Sequence, residues 1–321
     1  MPTPTKTKIQ LWIPSATEIF QSIMPPISVA YPPVYIADGR NWRKLRGELL
    51  VQTGCPIENF PEDSVMEYIH GAKGGAIMIR HNLLPDDNDE HFCWCLWHEL
   101  GHFYAINSEK TDLHRYSTPG LVDDSRIVEM TDSGPVLGFS DERKRQEGYW
   151  FWQEFIAEAI SKYVSFKHRS TTREYHPELI EWHPQYWNGI VQNLEYLLES
   201  TFLYYDNTID EYALAHYFAD LLMDDYYRLY VTAAAEGKLL RYDEHLRITK
   251  TEPGEIEPTG ISDLDERYQK PMWRMKNLLE EHLGKPRFWE IDETLLTQFG
   301  ECIGEMMLAK IMLLSDYREE E

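Results

Sequence analysis

The spacing of apolar residues changes several times along the chain, and each change predicts a different element. Residues 8–40 (IQLWIP, ISVAYPPVYIA) interleave β-formers with proline and predict short extended pieces around turns. A short helix is expected over Trp42–Val51. Two β-rich runs, Val65–Ile69 and Ala76–Arg80, flank a Gly/Lys turn and predict a hairpin. The Asp and Asn residues at 86–89 suit a helix N-terminus, and the apolar run that follows reads as one helix to about Ile106.

From Asn107 to about Glu142, Asp, Ser, Thr, Gly and Pro dominate without sustained periodicity. A connection of that length predicts a functional loop or lid. Helical spacing returns in QEGYWFWQEFIAEAISKYVSF, and further helices are expected over roughly 184–205, 208–235, 265–283 and 291–315. A break rich in Glu, Pro and Gly at 250–262 separates the last two from the others. The expected architecture is α+β and mostly helical. An α+β subdomain would span 1–110, a loop or lid 111–145, and a large helical subdomain 146–321.

Composition narrows the partners. A chain of 321 residues corresponds to about two folding units, and 43% hydrophobic residues supply a substantial core. Thirty-one basic against fifty-four acidic side chains leave a formal charge of −23. Such a surface repels phosphate backbones and anionic lipid, so neither nucleic acid nor membrane is an expected partner. No apolar run approaches the roughly 20 residues of a membrane span, and the start MPTPTKTKIQLW has no apolar core of signal-peptide type. Cys55, Cys93, Cys95 and Cys302 are too scattered for a disulfide framework, which makes a cytoplasmic location the expectation. Cys93 and Cys95 lie two apart on the expected helix, on different faces, and suit packing better than a shared metal.

Within the helix ending near Ile106 stands His98-Glu99-Leu100-Gly101-His102, an HExxH sequence. Composition alone would produce such a match roughly 0.05 times in this chain, so chance is a poor explanation. Residues four apart share one helix face, and both imidazoles can reach one ion. Zinc takes such nitrogens in a tetrahedron with one position left to water. Glu99 then projects beside the ion, where it can take the proton of that water. A hairpin preceding the helix supplies the edge strand on which a peptide could lie extended.

The third ligand is less directly written. The pattern HExxHxxGxxH fails, because Ala105 stands at its glycine position and Ser108 at its last histidine position. His114 is a candidate from the loop. Glu154 and Glu158 are the stronger pair: two carboxylates one turn apart in an otherwise apolar helix are costly to bury unless a charge or hydrogen bonds compensate. A zinc ion and a ligand imidazole N–H would compensate both. The plainer alternative is a solvated stripe opposite Trp150, Phe151, Phe155 and Ile156.

HELGH (98–102) with EFIAE (154–158) resembles the paired motifs of the gluzincin zinc metallopeptidases, in which HExxH is followed by a helix carrying Glu-x-x-x-Asp/Glu. The resemblance covers these two short helices. It implies a zincin-like fold, with a small N-terminal sheet and active-site helix ahead of a helical subdomain. It also implies Glu154 as third ligand and Glu158 as the group that orients a ligand histidine. Glu158 stands where Asp is commoner, and the extra methylene would allow the two roles to be exchanged.

An oxyanion stabiliser would be sought among Tyr and His residues facing the ion. His216, inside the apolar EYALAHYFADLL, and Tyr149, just ahead of Glu154, are the candidates, with a core histidine the plainer reading of His216. The expected function is zinc-dependent peptide-bond hydrolysis by a metal-activated water, with Glu99 as general base and a peptide or protein as substrate. The 107–145 loop, or a regulatory partner protein, would control access. Two rivals follow from the same residues: a catalytically silent zinc-binding regulatory or interaction protein, and a metal hydrolase acting on a small amide.

Overall fold

In a computed structural model, residues 4–55, 64–84, 88–108, 113–117, 128–132, 134–172, 214–216, 218–219, 222–223, 266–283, 285 and 287–319 are described. The first element corrects the sequence reading. Residues expected to be extended form helix α1 (Lys6–Ile23), with Pro14 inside it. Thr5 caps it, its hydroxyl accepting the Lys8 N–H at 3.3 Å. Proline and β-formers argued against a helix, but Ile9, Ala16 and Phe20 form one buried stripe. Burial of that stripe outweighs the local preferences. Strand β1 (Val34–Ala37) is the extended piece that the same stretch does contain.

Helix α2 (Trp42–Thr53) ends at Gly54, whose φ of +71° suits the left-handed position after a helix. The expected hairpin is present as β2 (Met66–Gly71) and β3 (Gly74–Arg80), with Gly74 at φ +125° in the turn. Strand β1 adds in parallel to β3, Val34 opposite Ile77, so the sheet order is β1-β3-β2 and, among the described residues, β2 is an edge. One face of the sheet packs Ile69, Ala76 and Met78 against Leu49 of α2. The other face meets helix α3 (Asp89–Ser108), where Tyr68 contacts Phe103 edge-on at 6.0 Å. Helix α1 is pinned to α3 by the Trp97 indole, which donates to the Ala16 carbonyl at 2.9 Å.

Residues 107–145 were expected to lack regular structure. The described part contains a two-stranded antiparallel pair, β4 (Val128–Thr131) and β5 (Gly134–Leu137). Four-residue strands among Asp, Ser and Gly are too short for a visible alternation. Helix α4 (Asp141–Thr172) contains the expected 146–166 segment. Helices α5 (Glu266–Leu283) and α6 (Glu293–Glu319) match the expected 265–283 and 291–315. Positions 214–216, 218–219 and 222–223 are helical, within the expected 208–235. The helix expected at 184–205 and the break at 250–262 lie outside the described residues.

The architecture is mostly helical with a small sheet. It divides into two compact units, Met1–Lys110 with Ile156–Arg173, and Thr111–Phe155 with Glu174–Glu321. Among the described residues, no helix is long and apolar enough to cross a membrane.

Candidate metal centre

Helix α3 starts on Asn88, whose side-chain oxygen accepts the Glu90 N–H at 2.9 Å and whose carbonyl accepts the Phe92 N–H. Phe92, Leu96, Leu100 and Phe103 are its buried stripe, which sets the rotation of the helix. That rotation leaves His98 and His102 side by side. Their rings are 4.8 Å apart and nearly perpendicular, and the two Nε2 atoms face each other at 3.2 Å.

The other ring nitrogen of His98 is already assigned. Nδ1 lies 3.1 Å from Oε2 of Glu158, a carboxylate only 1% exposed. With Nδ1 donating its proton there, the Nε2 lone pair points toward His102. Lys162, one turn further along α4, brings its ammonium within 3.8 Å of the second Glu158 oxygen.

Helices α3 and α4 lie close enough for these bonds because Gly101 has no side chain. A Cβ at that position would meet the Ala157 carbonyl oxygen at 2.8 Å and its Cα at 2.9 Å. Ser161 adds a direct tie, donating to the Trp94 carbonyl at 3.0 Å. Neither Gly101 nor Ser161 was singled out from the sequence for this contact. The available signal was the pair of small residues inside both motifs, Gly101 in HELGH and Ala157 in EFIAE.

Glu154 sits one turn before Glu158 on the same uninterrupted helix. A carboxylate oxygen of Glu154 and one ring nitrogen from each of His98 and His102 all lie within 4.8 Å of one another. Two nitrogens bound at 2.0–2.1 Å in a tetrahedron are about 3.3 Å apart, against the 3.2 Å seen here. The imidazole pair and a carboxylate form a borderline-soft donor set that suits zinc. These residues fit the ion.

Glu99, between the two histidines, is 9% exposed, and its Oε2 accepts the Tyr68 N–H at 2.7 Å. The Glu99 carboxylate is thereby attached to strand β2. Backbone groups alternate along an antiparallel strand. Glu67, Ile69 and Gly71 turn theirs to β3, so Met66, Tyr68 and His70 turn theirs outward. Burial pushes the Tyr68 phenol up, a hydrogen bond with Asn107 opposing, so it stays neutral at physiological pH.

Tyr149, His114 and His216 are the remaining candidates. Tyr149 is fully buried, and its hydroxyl is bonded to Nδ1 of His114 at 3.1 Å, so two separate candidates partner each other. His216 is a partly buried residue of the second unit. Burial, then the Asp89 and Glu90 charges, push the Cys93 thiol up to about 12, which suits a packing role. No protein-family model matches this chain, and neither does a curated protein or a solved structure.

Proposed function

We propose that this chain is a zinc-dependent metallopeptidase of gluzincin type with a zincin-like catalytic core. The observation that carries the reading is the His98–His102 pair, with Nε2 atoms 3.2 Å apart and a buried carboxylate on the far nitrogen of His98. A histidine pair that served packing alone would need no such carboxylate. Ligand histidines commonly have one, because it fixes the tautomer and raises basicity. His98, His102 and Glu154 hold the metal, and Glu158 orients His98. This geometry favours Glu154 over Glu158 as ligand, since the Glu158 carboxylate is on Nδ1.

Zinc bound there would supply a Lewis acid that polarises the scissile carbonyl and makes a water acidic. The chain's own residues supply the rest. Tyr68 N–H holds Oε2 of Glu99, and the carboxylate so placed accepts the proton of the attacking water. Glu99 then delivers that proton to the leaving amine nitrogen. The substrate peptide lies extended along the outward edge of β2, the strand that also holds the base.

Glu99→Gln tests the catalytic half of the reading. It keeps the side-chain shape and the Tyr68 bond but removes basicity. Cleavage of a peptide library should fall ~10²–10⁴-fold, with zinc content and melting temperature unchanged. Equal turnover by wild type and variant would remove Glu99 from the mechanism. A wild type that binds zinc and cleaves nothing would favour a silent binding protein.

A further inference from the structure

Beneath the edge strand, Glu67 and Arg46 form a buried ion pair that the reaction itself does not use. Arg46, on α2, is 7% exposed, and the Glu67 side chain 12%. The guanidinium grips both carboxylate oxygens, with Nε at 3.2 and 3.0 Å and Nη2 at 3.0 Å. Desolvation pushes the Glu67 carboxyl up and Arg46 opposes it. Two well-packed apolar side chains would stabilise such a position as well or better. The forked geometry has a different consequence, because it accepts the carboxylate in one orientation.

That orientation matters because of what comes next in the chain. Among the described residues, strand β2 pairs with β3 on one side only, so that ladder restrains it from one edge. The peptide unit joining Glu67 to Tyr68 turns its carbonyl to β3 and its N–H to Glu99. A shift of Glu67 therefore moves the donor that holds the base. We propose that Arg46 is a positioning residue: by gripping Glu67 it sets the edge strand at the height where the Tyr68 N–H holds the Glu99 carboxylate. The proposal rests on the reading of Glu99 as general base, and a misplacement of about 1 Å in such a group can cost ~10²-fold in rate.

The decisive variant is the full-length double substitution Arg46→Met/Glu67→Met, which removes the ion pair without leaving a buried charge. Its melting temperature and zinc content should match wild type or exceed it. The Tyr68 amide should exchange with solvent at least about tenfold faster and shift in TROSY spectra, and kcat should fall about tenfold or more with KM little changed. Arg46→Lys keeps the charge and loses the fork, and should move the same amide in the same direction if the double variant does not fold. Wild-type exchange and shift at Tyr68 in either folded variant would overturn the proposal. Loss of Tyr68 protection in a protein whose wild type cleaves no peptide would sustain the positioning and sink the peptidase reading instead.

Discussion

Among the described residues, helix α4 closely approaches another helix at two glycine-lined places, and the two crossings differ in what they bring together. In the first unit Gly101 of α3 faces Ala157 of α4. In the second unit Gly148 of α4 faces Leu296 of α6, and Gly300 of α6 faces Lys144 of α4, so tightly that a Cβ at either glycine would overlap a carbonyl oxygen. Around the second crossing the approach brings aromatic rings together. Trp152 stacks on Phe299 at 6.0 Å, and Phe151 meets the same ring at 5.5 Å. Its nearby charges are answered on the spot, Glu147 by Arg143 and Lys144 by Glu301. At the first crossing the approach brings a buried carboxylate to a histidine that faces another histidine. Close packing alone is therefore ordinary in this chain. What sets the first crossing apart is that the approach also places a buried carboxylate on a histidine nitrogen.

That comparison can be broken by adding one methyl group at each crossing. Gly300→Ala should cost roughly 3 kcal/mol or more, because backbone has to move, while zinc affinity stays at the wild-type value. Gly101→Ala should cost about 1–3 kcal/mol and also weaken zinc 10–100-fold by drawing Glu158 away from His98. Melting curves and zinc titrations of both variants measure this. Equal zinc affinity in the two would remove the distinction.

Acid should act on the second crossing next. His282 packs edge-on to Trp152 at 5.0 Å and is 3% exposed. Burial, assisted by the Lys285 charge, pulls it down from 6.5 to about 4, with the backbone of Phe288 and Glu290 and the Asp292 charge opposing. The unfolded chain takes up this proton first. Stability from the neutral ring is complete above pH 6.5 and is lost as pH falls toward 4, by roughly 3 kcal/mol in all. Denaturant midpoints between pH 7 and 4 should show the loss, and His282→Leu should flatten it. An unchanged slope in that variant would place the acid sensitivity elsewhere.

The smallest expected effect sharpens the first crossing. Lys162 lies 3.8 Å from Glu158 at partial exposure, so Lys162→Met should change stability by under about 1 kcal/mol. Through Glu158 it should weaken zinc by less than about tenfold, well short of the loss at a ligand. A larger loss than in Gly101→Ala would make the ammonium, rather than the close approach, the main support of Glu158.

What could be read from the sequence follows the range of the interactions. The His98/His102 spacing and the Asn88 cap are local to one helix, and both motif and element were legible. The β2–β3 hairpin was legible for the same reason, since Gly74 and the alternation lie within a few residues. Helix α1 was misread because Pro14 speaks locally, while the burial of Ile9, Ala16 and Phe20 depends on residues about 80 positions away, such as Trp97. The Arg46–Glu67 grip and the Gly101–Ala157 approach are likewise long-range and leave no local pattern. Glu154 and Glu158 could be named as a pair, but proposing a role for each needed coordinates: the position of Glu158 on Nδ1 of His98 is what favours Glu158 as orienter.

The most direct test is the zinc content of the purified chain and three variants, read by elemental analysis after dialysis against a weak chelator. Wild type should hold one zinc per chain, and His102→Ala and Glu154→Ala should hold none. Glu158→Ala should bind zinc 10–100-fold more weakly and recover it when zinc is supplied in excess. A full zinc load in Glu154→Ala, with none in Glu158→Ala, would reverse the two carboxylates. A full load in His102→Ala would contradict the centre itself.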